Sequence, residues 1–499
     1  MSGSINNTAG AVAFQSIPNN LRIPLFFAEV NNSQANSAPQ TQRALLVGQI
    51  TASASVPPGV PVLISGNGYG MFGKGSMLAS MVAWYRKRDG FGEVWALPLA
   101  DPSGGVAASG TVTINAPATA AGTLSLYVSG HLCAIPVQPT QTPTQVATAL
   151  AAVINTNPKV QVTAAAAAGV VTVTANHKGA TGNSIDLRLN YLGVPGGEAV
   201  PAGLVVNIAG MAGGTGVPDV VDALAVIGTM GFDFLAVPYT DTGSLQAVTS
   251  FLADRWSWDK MLYGGAFTAY QGTVAALATF GNGLNDPHLT VMGYNGSPSA
   301  PWAWAANYCG ASAVGLRADP GLPLQTLQLD VLAPPAAQQF VPGDRNTLLW
   351  DGISTFTVGP DGSCAIEQAI TTYQTDAYGD PDNSYLYVER LYTIAACIRY
   401  LRSKVQSTFG RVKLADSGTN VTPGSGIVTT DTIRSAIIAW YGELVSQGLA
   451  QEAATFAANL VVVRNGQNRC RVDGMFPIVP IDALRQLCAL VEFQNSTGN

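Results

Sequence analysis

FDFLAVPYTDTGSLQAVTSFLADRW, residues 232–256, reads as one strand followed by one helix. Phe232 to Val237 is a short, mostly apolar run stopped by Pro238, and Ser244 to Trp256 reads as helical. The alternation extends both ways: helix Asp219 to Thr229 before it, then strand Met261 to Ala266, helix Thr273 to Phe280, strand Leu289 to Gly293 and helix Ala300 to Ala311. Such alternation predicts a mainly parallel sheet with helices on its faces.

Toward the N-terminus the same pattern returns as strands Ala44 to Ile50 and Val60 to Ser65, a glycine-rich turn, a helix from Ser76 to Arg88 and strand Glu93 to Ala100. Between the two α/β stretches, Pro102 to Pro218 is rich in Ala, Val, Thr and Gly, and its only acidic or basic residues besides histidine are Lys159, Lys178, Asp186, Arg188 and Glu198. Alternating runs at 110–115, 124–128, 160–163, 170–174, 185–190 and 205–208 read as strands, and Thr144 to Ile154 as a helix. This predicts an inserted β-rich domain.

Beyond a loop-like stretch, Asp319 to Asn346, Ile353 to Val358 and Cys364 to Thr372 are joined by Gly359-Pro360-Asp361-Gly362, which predicts a hairpin. Val388, Leu391, Ile394, Ala395, Ile398, Leu401 and Val405 then recur at helical steps, so a buried helix is expected, with Glu389, Arg390, Arg399, Arg402 and Lys404 on its other faces. After a Gly/Thr/Ser-rich segment come a helix, Thr432 to Val445, with Asp431 as its cap, strands Asn459 to Arg464 and Arg469 to Val472, and a terminal apolar run, Leu487 to Phe493. At the other end, Leu21, Ile23, Leu25 and Phe27 share one face of a strand-like segment, and Pro24 confines it to an edge.

The expected fold is therefore α/β: a mainly parallel sheet core with an inserted β-rich domain, a C-terminal α+β unit, and extended N- and C-terminal arms. The expected divisions are arm and linker 1–42, core 43–101 and 219–414, insertion 102–218, linker 415–429, C-terminal unit 430–484 and arm 485–499.

Charged residues make up 11% of the 499 residues, against about 25% in an ordinary soluble protein. Interface cores are depleted of Lys, Glu and Asp, so this composition suits an assembly subunit, and equally a low-charge secreted β protein. A net charge of −6 without a basic stripe argues against direct nucleic-acid binding. The N-terminus lacks a signal-peptide pattern, and no apolar run is long enough for a membrane span. Cys133, Cys309, Cys364, Cys397, Cys470 and Cys488 are widely spaced, which predicts free, buried thiols.

Gly68-Tyr69-Gly70-Met71-Phe72-Gly73-Lys74-Gly75-Ser76 satisfies a glycine-rich phosphate-loop pattern except that Gly75 stands where Ser or Thr should hold magnesium. Its alternative reading is a tight loop with Ser76 capping the next helix. Asp376, Asp380, Asp382 and Glu389 lack the glycine and closing glutamate spacing of a calcium loop, and a solvated turn is expected. His131, His177 and His288 are isolated in sequence, and Trp256, Trp258, Trp302 and Trp304 are expected in packing or interfaces. No catalytic, metal or cofactor residue is expected.

The order of parts resembles contractile-tail sheath proteins of the bacteriophage Mu type. The resemblance rests on Ile23-Pro24-Leu25-Phe26-Phe27-Ala28-Glu29-Val30, Phe72-Gly73-Lys74-Gly75-Ser76-Met77-Leu78-Ala79, Pro238-Tyr239-Thr240-Asp241, Ala369-Ile370-Thr371-Thr372-Tyr373-Gln374 and Asn459-Leu460-Val461-Val462-Val463-Arg464. It implies a virion protein, assembled in the bacterial host cytoplasm, that stacks as rings in a helical homo-oligomer around a tail tube protein, with baseplate and tail terminator proteins as further partners and neither nucleic acid nor membrane contacted directly. Arms would be exchanged between subunits: an N-arm with Leu21, Ile23, Leu25, Phe26 and Phe27, and a C-arm with Leu487, Ala489, Leu490, Val491 and Phe493. The 353–372 hairpin is the expected acceptor, the two linkers the expected hinges, and Arg399 with Arg402 the expected contraction interface. The rival readings are a nucleotide-binding enzyme using Gly68 to Lys74, and a surface-layer or adhesion protein.

Overall fold

The computed structural model describes residues 42–419, 422 and 425–493. All six residues of β1 (Ala44–Gln49) are buried, as they must be in a strand flanked by neighbours and covered on both faces. The chain continues through β2 (Val62–Leu63), α1 (Tyr69–Phe72), α2 (Met77–Arg86) and β3 (Val94–Leu99). After residue 219 come α4 (Val220–Ala225), β11 (Phe234–Ala236), α5 (Thr242–Arg255), β12 (Gly265–Gln271), α6 (Val274–Asn282), β13 (Leu289–Tyr294) and α7 (Pro301–Ala318). The six strands form one sheet in the order β13-β12-β11-β1-β3-β2. All neighbours are parallel except β2, which closes the edge antiparallel to β3.

Residues 102–218 hold β4 (Ala107–Ala116), β5 (Gly122–Val128), β6 (His131–Val137), α3 (Pro143–Thr156), β7 (Val162–Ala167), β8 (Val170–Lys178), β9 (Leu187–Leu189) and β10 (Val205–Ala212). They make two antiparallel sheets, β10-β4-β8-β7 and β6-β5-β9. β6 was not legible in the sequence because Pro136 interrupts it. The strand lies at a sheet edge, where a missing N–H is tolerated.

A polar seam ties this stretch to the sheet. His177 of β8 places Nδ1 3.0 Å from Asp101 Oδ1, and its Nε2 accepts the Met77 amide of α2 at 3.0 Å. An accepting Nε2 requires the proton on Nδ1, so the neutral ring donates to Asp101. Gln49 Nε2 donates to Asp101 at 2.7 Å and to the Lys178 carbonyl at 2.8 Å.

The last third contains β14 (Gln328–Leu329), α8 (Pro342–Trp350), β15 (Thr355–Val358), β16 (Cys364–Gln368), α9 (Val388–Phe409), β17 (Lys413–Leu414), β18 (Ile427–Val428), α10 (Thr430–Ser446), α11 (Ala453–Asn459), β19 (Val461–Arg464) and β20 (Val472–Met475). β15 and β16 form the expected hairpin. α8 begins inside the stretch expected to be loop and runs past its end at Asn346; only Leu348 of its residues is fully buried, which leaves no apolar period to read. β12 starts four residues later than expected, after Met261 turns the chain with φ +51°. α7 runs past Ala311 to Ala318, and Gly310 lets it close on α2: a Cβ there would sit 2.8 Å from the Tyr85 carbonyl. The cap of α10 is Thr429, which accepts the Thr432 amide, and Asp431 instead lies in the first turn.

Two apolar cores result. The larger holds the six-stranded sheet, its helices and both sheets of the 102–218 stretch. The smaller joins Cys397 and Leu401 of α9 to Ile437, Trp440, Tyr441 and Leu444 of α10 and Phe456 of α11.

Burial works to raise the Asp101 pKa, but the bonds from His177, Lys178 and Gln49 outweigh it and hold the carboxyl below its ordinary 3.8. A depressed carboxylate pKa contributes stability that is full above the unfolded value and lost as pH falls through the folded one. The melting-temperature difference between wild type and Asp101→Asn should therefore be largest at neutral pH and shrink below about pH 3.8, as read by thermal melts across that range.

Candidate functional site

The glycine loop has most of its backbone amides bonded within the protein. Phosphate loops present free backbone N–H groups to the ligand, whereas here Gly73 N donates to the Tyr69 carbonyl at 3.1 Å, Gly75 N to Pro158 at 3.2 Å and Ser76 N to Gly73 at 3.3 Å. Met77 N is taken by His177, and Ala79 N by the capping Ser76 hydroxyl at 3.1 Å. Asn176 Nδ2 covers the loop, donating to the Gly75 carbonyl at 3.0 Å. The spacing matched a nucleotide motif; the fold uses it as packed backbone.

The acidic turn satisfies itself in the same way. Asp376 Oδ1 accepts the amides of Tyr378 and Asp380 at 2.8 and 3.0 Å, and Asp382 accepts the Tyr373 hydroxyl at 2.7 Å. Among the described residues no group of three or more His, Cys, Asp or Glu is placed to hold a metal ion. His131 packs on Trp84, and burial, with Lys159 and Lys87 nearby, pushes its pKa down to about 4. Trp302 and Trp304 are core residues, Trp256 packs on Tyr263, and Trp258 is exposed. Cys133, Cys309, Cys364 and Cys397 are buried thiols, but Cys470 and Cys488 are exposed, contrary to the expectation. No described helix is long and apolar enough to cross a membrane. A 330 Å³ crevice over the carboxyl ends of β11 and β12 touches Tyr239, Asp241 and Trp302, but Asp241 is already committed to capping α5.

The residues expected to serve assembly divide sharply. Leu21, Ile23, Leu25, Phe26 and Phe27 lie outside the described residues. Leu487, Ala489, Leu490, Val491 and Phe493 are all exposed and belong to no strand or helix. Arg399 is not a free surface charge: its guanidinium bonds Asp233 Oδ1 at 2.5 Å and the Tyr263 carbonyl at 3.0 Å. Arg402, one turn on, is exposed.

The 355–368 hairpin offers a poor acceptor edge, because β16 lies between β14 and β15, and Ser354 before β15 bridges Met292 of β13. The open ribbon is β19–β20, whose strands pair only with each other among the described residues. Val461, Val463 and Met475 are exposed on it. A two-stranded ribbon with apolar residues outward is a template for added strands.

The ion pair between Glu389 and Arg485 also had no trace in the sequence. Glu389, expected on a solvated helix face, is 3% exposed and bonded by Arg485 across 96 residues.

Comparison with known proteins follows the same lines. A family model described as the phage tail sheath protein central domain matches residues 213–372. The Mu-like prophage FluMu tail sheath protein of Haemophilus influenzae is 37% identical over 467 residues, covering 93% of this chain and 95% of that protein. Among solved structures, a sheath tail protein from Desulfitobacterium hafniense is similar at 14% identity and TM-score 0.49, covering 93% of this chain and 97% of its own. One from Listeria innocua is similar at 12% identity and TM-score 0.47, covering 90% and 94%.

If the glycine loop is backbone architecture, Gly75→Ala acts on stability. Gly75 has φ +66°, and an added Cβ would lie 2.8 Å from the Val160 carbonyl and press on Asn176. A loss of about 1–3 kcal/mol is expected in denaturant melts, while calorimetry of the wild type with magnesium ATP or GTP should give no binding heat.

Proposed function

Because the chain belongs to the Mu-type phage tail sheath family, we propose that its copies polymerise as stacked rings around a tail tube in the virion and contract to drive that tube through the target cell envelope. The role is structural, with no chemistry of its own. The observation that carries the reading is the pairing of an exposed apolar C-terminal arm with an open ribbon on the same chain. An arm from one copy adds a strand to β19–β20 of a neighbour, and the N-terminal segment 21–30 adds another.

The energetics suit a lattice. Each backbone hydrogen bond of an added strand contributes about 0.5–1.5 kcal/mol net, and each buried Leu, Val or Phe of the arm about 1.5–3 kcal/mol. Ordering the arm offsets part of this. A single link is modest, and a subunit held by several at once is held firmly.

Contraction is a change between two packings of the same subunits, with segments 31–42 and 415–429 as hinges. Lys413–Leu414 pair in parallel with Ile427–Val428. The second hinge is accordingly a loop with joined ends, so movement there swings the loop without parting α9 from α10. Baseplate and terminator proteins hold the ends of the stack, and the subunits are made in the host cytoplasm.

Deleting residues 1–30, or the last twelve, should leave a folded monomer that forms no tubes in negative-stain microscopy; normal tubes from either truncation would end the arm-exchange reading. For the contraction interface the informative variant is Arg402→Glu, because reversing Arg399 would set a second carboxylate against buried Asp233. Arg402→Glu should melt like wild type and lower the yield of contracted tubes.

A further inference from the structure

The C-terminal arm leaves the protein abruptly. Arg485 sends Nη1 and Nη2 to the two carboxylate oxygens of Glu389, at 3.2 and 3.1 Å, and lies 4.0 Å above the Tyr387 ring. Just before it, Asp482 pairs with Arg390 at 2.9 Å, and Gln451 Nε2 donates to the Pro480 carbonyl at 3.2 Å. Just after it, Leu487, Leu490, Val491 and Phe493 are each more than four-fifths exposed.

We infer that Arg485 is the fixed root of the segment offered to a second copy of this chain: the donated stretch begins at Gln486, and residues 478–485 stay on the parent subunit. The inference rests on the arm-exchange reading above and adds the boundary at which exchange starts. Its physical basis is Glu389, whose carboxylate is buried and also accepts the Leu324 amide at 2.6 Å. Among the described residues Arg485 is its only ion-pair partner. Drawing Arg485 away would strand a buried charge, a far larger penalty than losing an exposed pair. The two parallel bonds also fix the guanidinium in its plane, which a lysine could not do. A pull on the arm is then delivered to the first turn of α9, not dissipated in a loosening tail.

The test is hydrogen exchange of residues 478–485 in the monomer, read beside tube formation. Arg485→Met keeps the stem over Tyr387 but loses both bonds, and should speed exchange of that segment by about tenfold or more. Glu389→Gln with Arg485→Met removes both charges, guards against simple misfolding, and should also leave the segment unprotected. Truncation after Arg485 should keep wild-type protection. Unchanged protection in either substitution variant overturns the root, as does lost protection in the truncation. Tubes formed by the truncated chain would overturn arm exchange alone, because the exchange data judge the root independently.

Discussion

The structure depends on one helix belonging to two cores. The start of α9 places Val388, Leu391 and Tyr392 in the large core, and the turns that follow place Cys397 and Leu401 in the small one. The join is reinforced at the start of β11: Tyr392 donates to the Asp233 carbonyl at 2.7 Å, its ring stacks on Phe234 at 5.2 Å, and Arg399 holds the Asp233 carboxylate. A continuous helix bends little without a break in its hydrogen-bond ladder. The two cores are thus fastened to one rod, and the position of the small core, with its open ribbon, is set by the sheet at the other end.

Three ion pairs built on buried carboxylates make such fastenings. Buried Asp89 pairs with the partly buried Arg317 beside Tyr85, buried Asp233 with Arg399, and buried Glu389 with Arg485. Each joins segments distant in sequence, and a buried pair costs more to break than it contributes when made. These contacts therefore select one arrangement of segments more than they add net stability. A low-charge chain with its buried ions used this way leaves a surface of small polar and apolar side chains, which suits contact with further copies.

What the sequence revealed and what it hid follow from the range of the interactions. The strands and helices of the sheet were legible because apolar period reports local structure, and β1, β11 and β13 are apolar nearly throughout. β6 and α8 were hidden because one carries a proline and the other buries almost nothing. The apolar run Leu487 to Phe493, exposed outside any strand or helix, was legible too. The root of the C-arm was not, since nothing near Glu389 distinguishes a carboxylate awaiting an arginine 96 residues away from one facing water. His177 and Asp101, 76 residues apart, were hidden for the same reason. The glycine loop failed in the opposite sense: its spacing is a true local signal of tight backbone, and only the neighbours that consume its amides decide what the backbone is for.

The rod and the root together bear on how the proposed assembly would move. An arm anchored at a flexible tail would let neighbouring subunits shift before either core responded. With Arg485 fixed to the first turn of α9 and Arg399 fixed to the start of β11, a pull arriving through the proposed arm exchange would meet bonded structure from Arg485 to the central sheet. Under the proposed arm exchange, displacement of one subunit would then turn the core of the next as a body. A contraction that spreads through a stack of rings would need such stiff coupling between subunits, with freedom kept to the arms and the hinge segments. The exposed run after Arg485 supplies the freedom, and the buried ion pairs on α9 supply the stiffness.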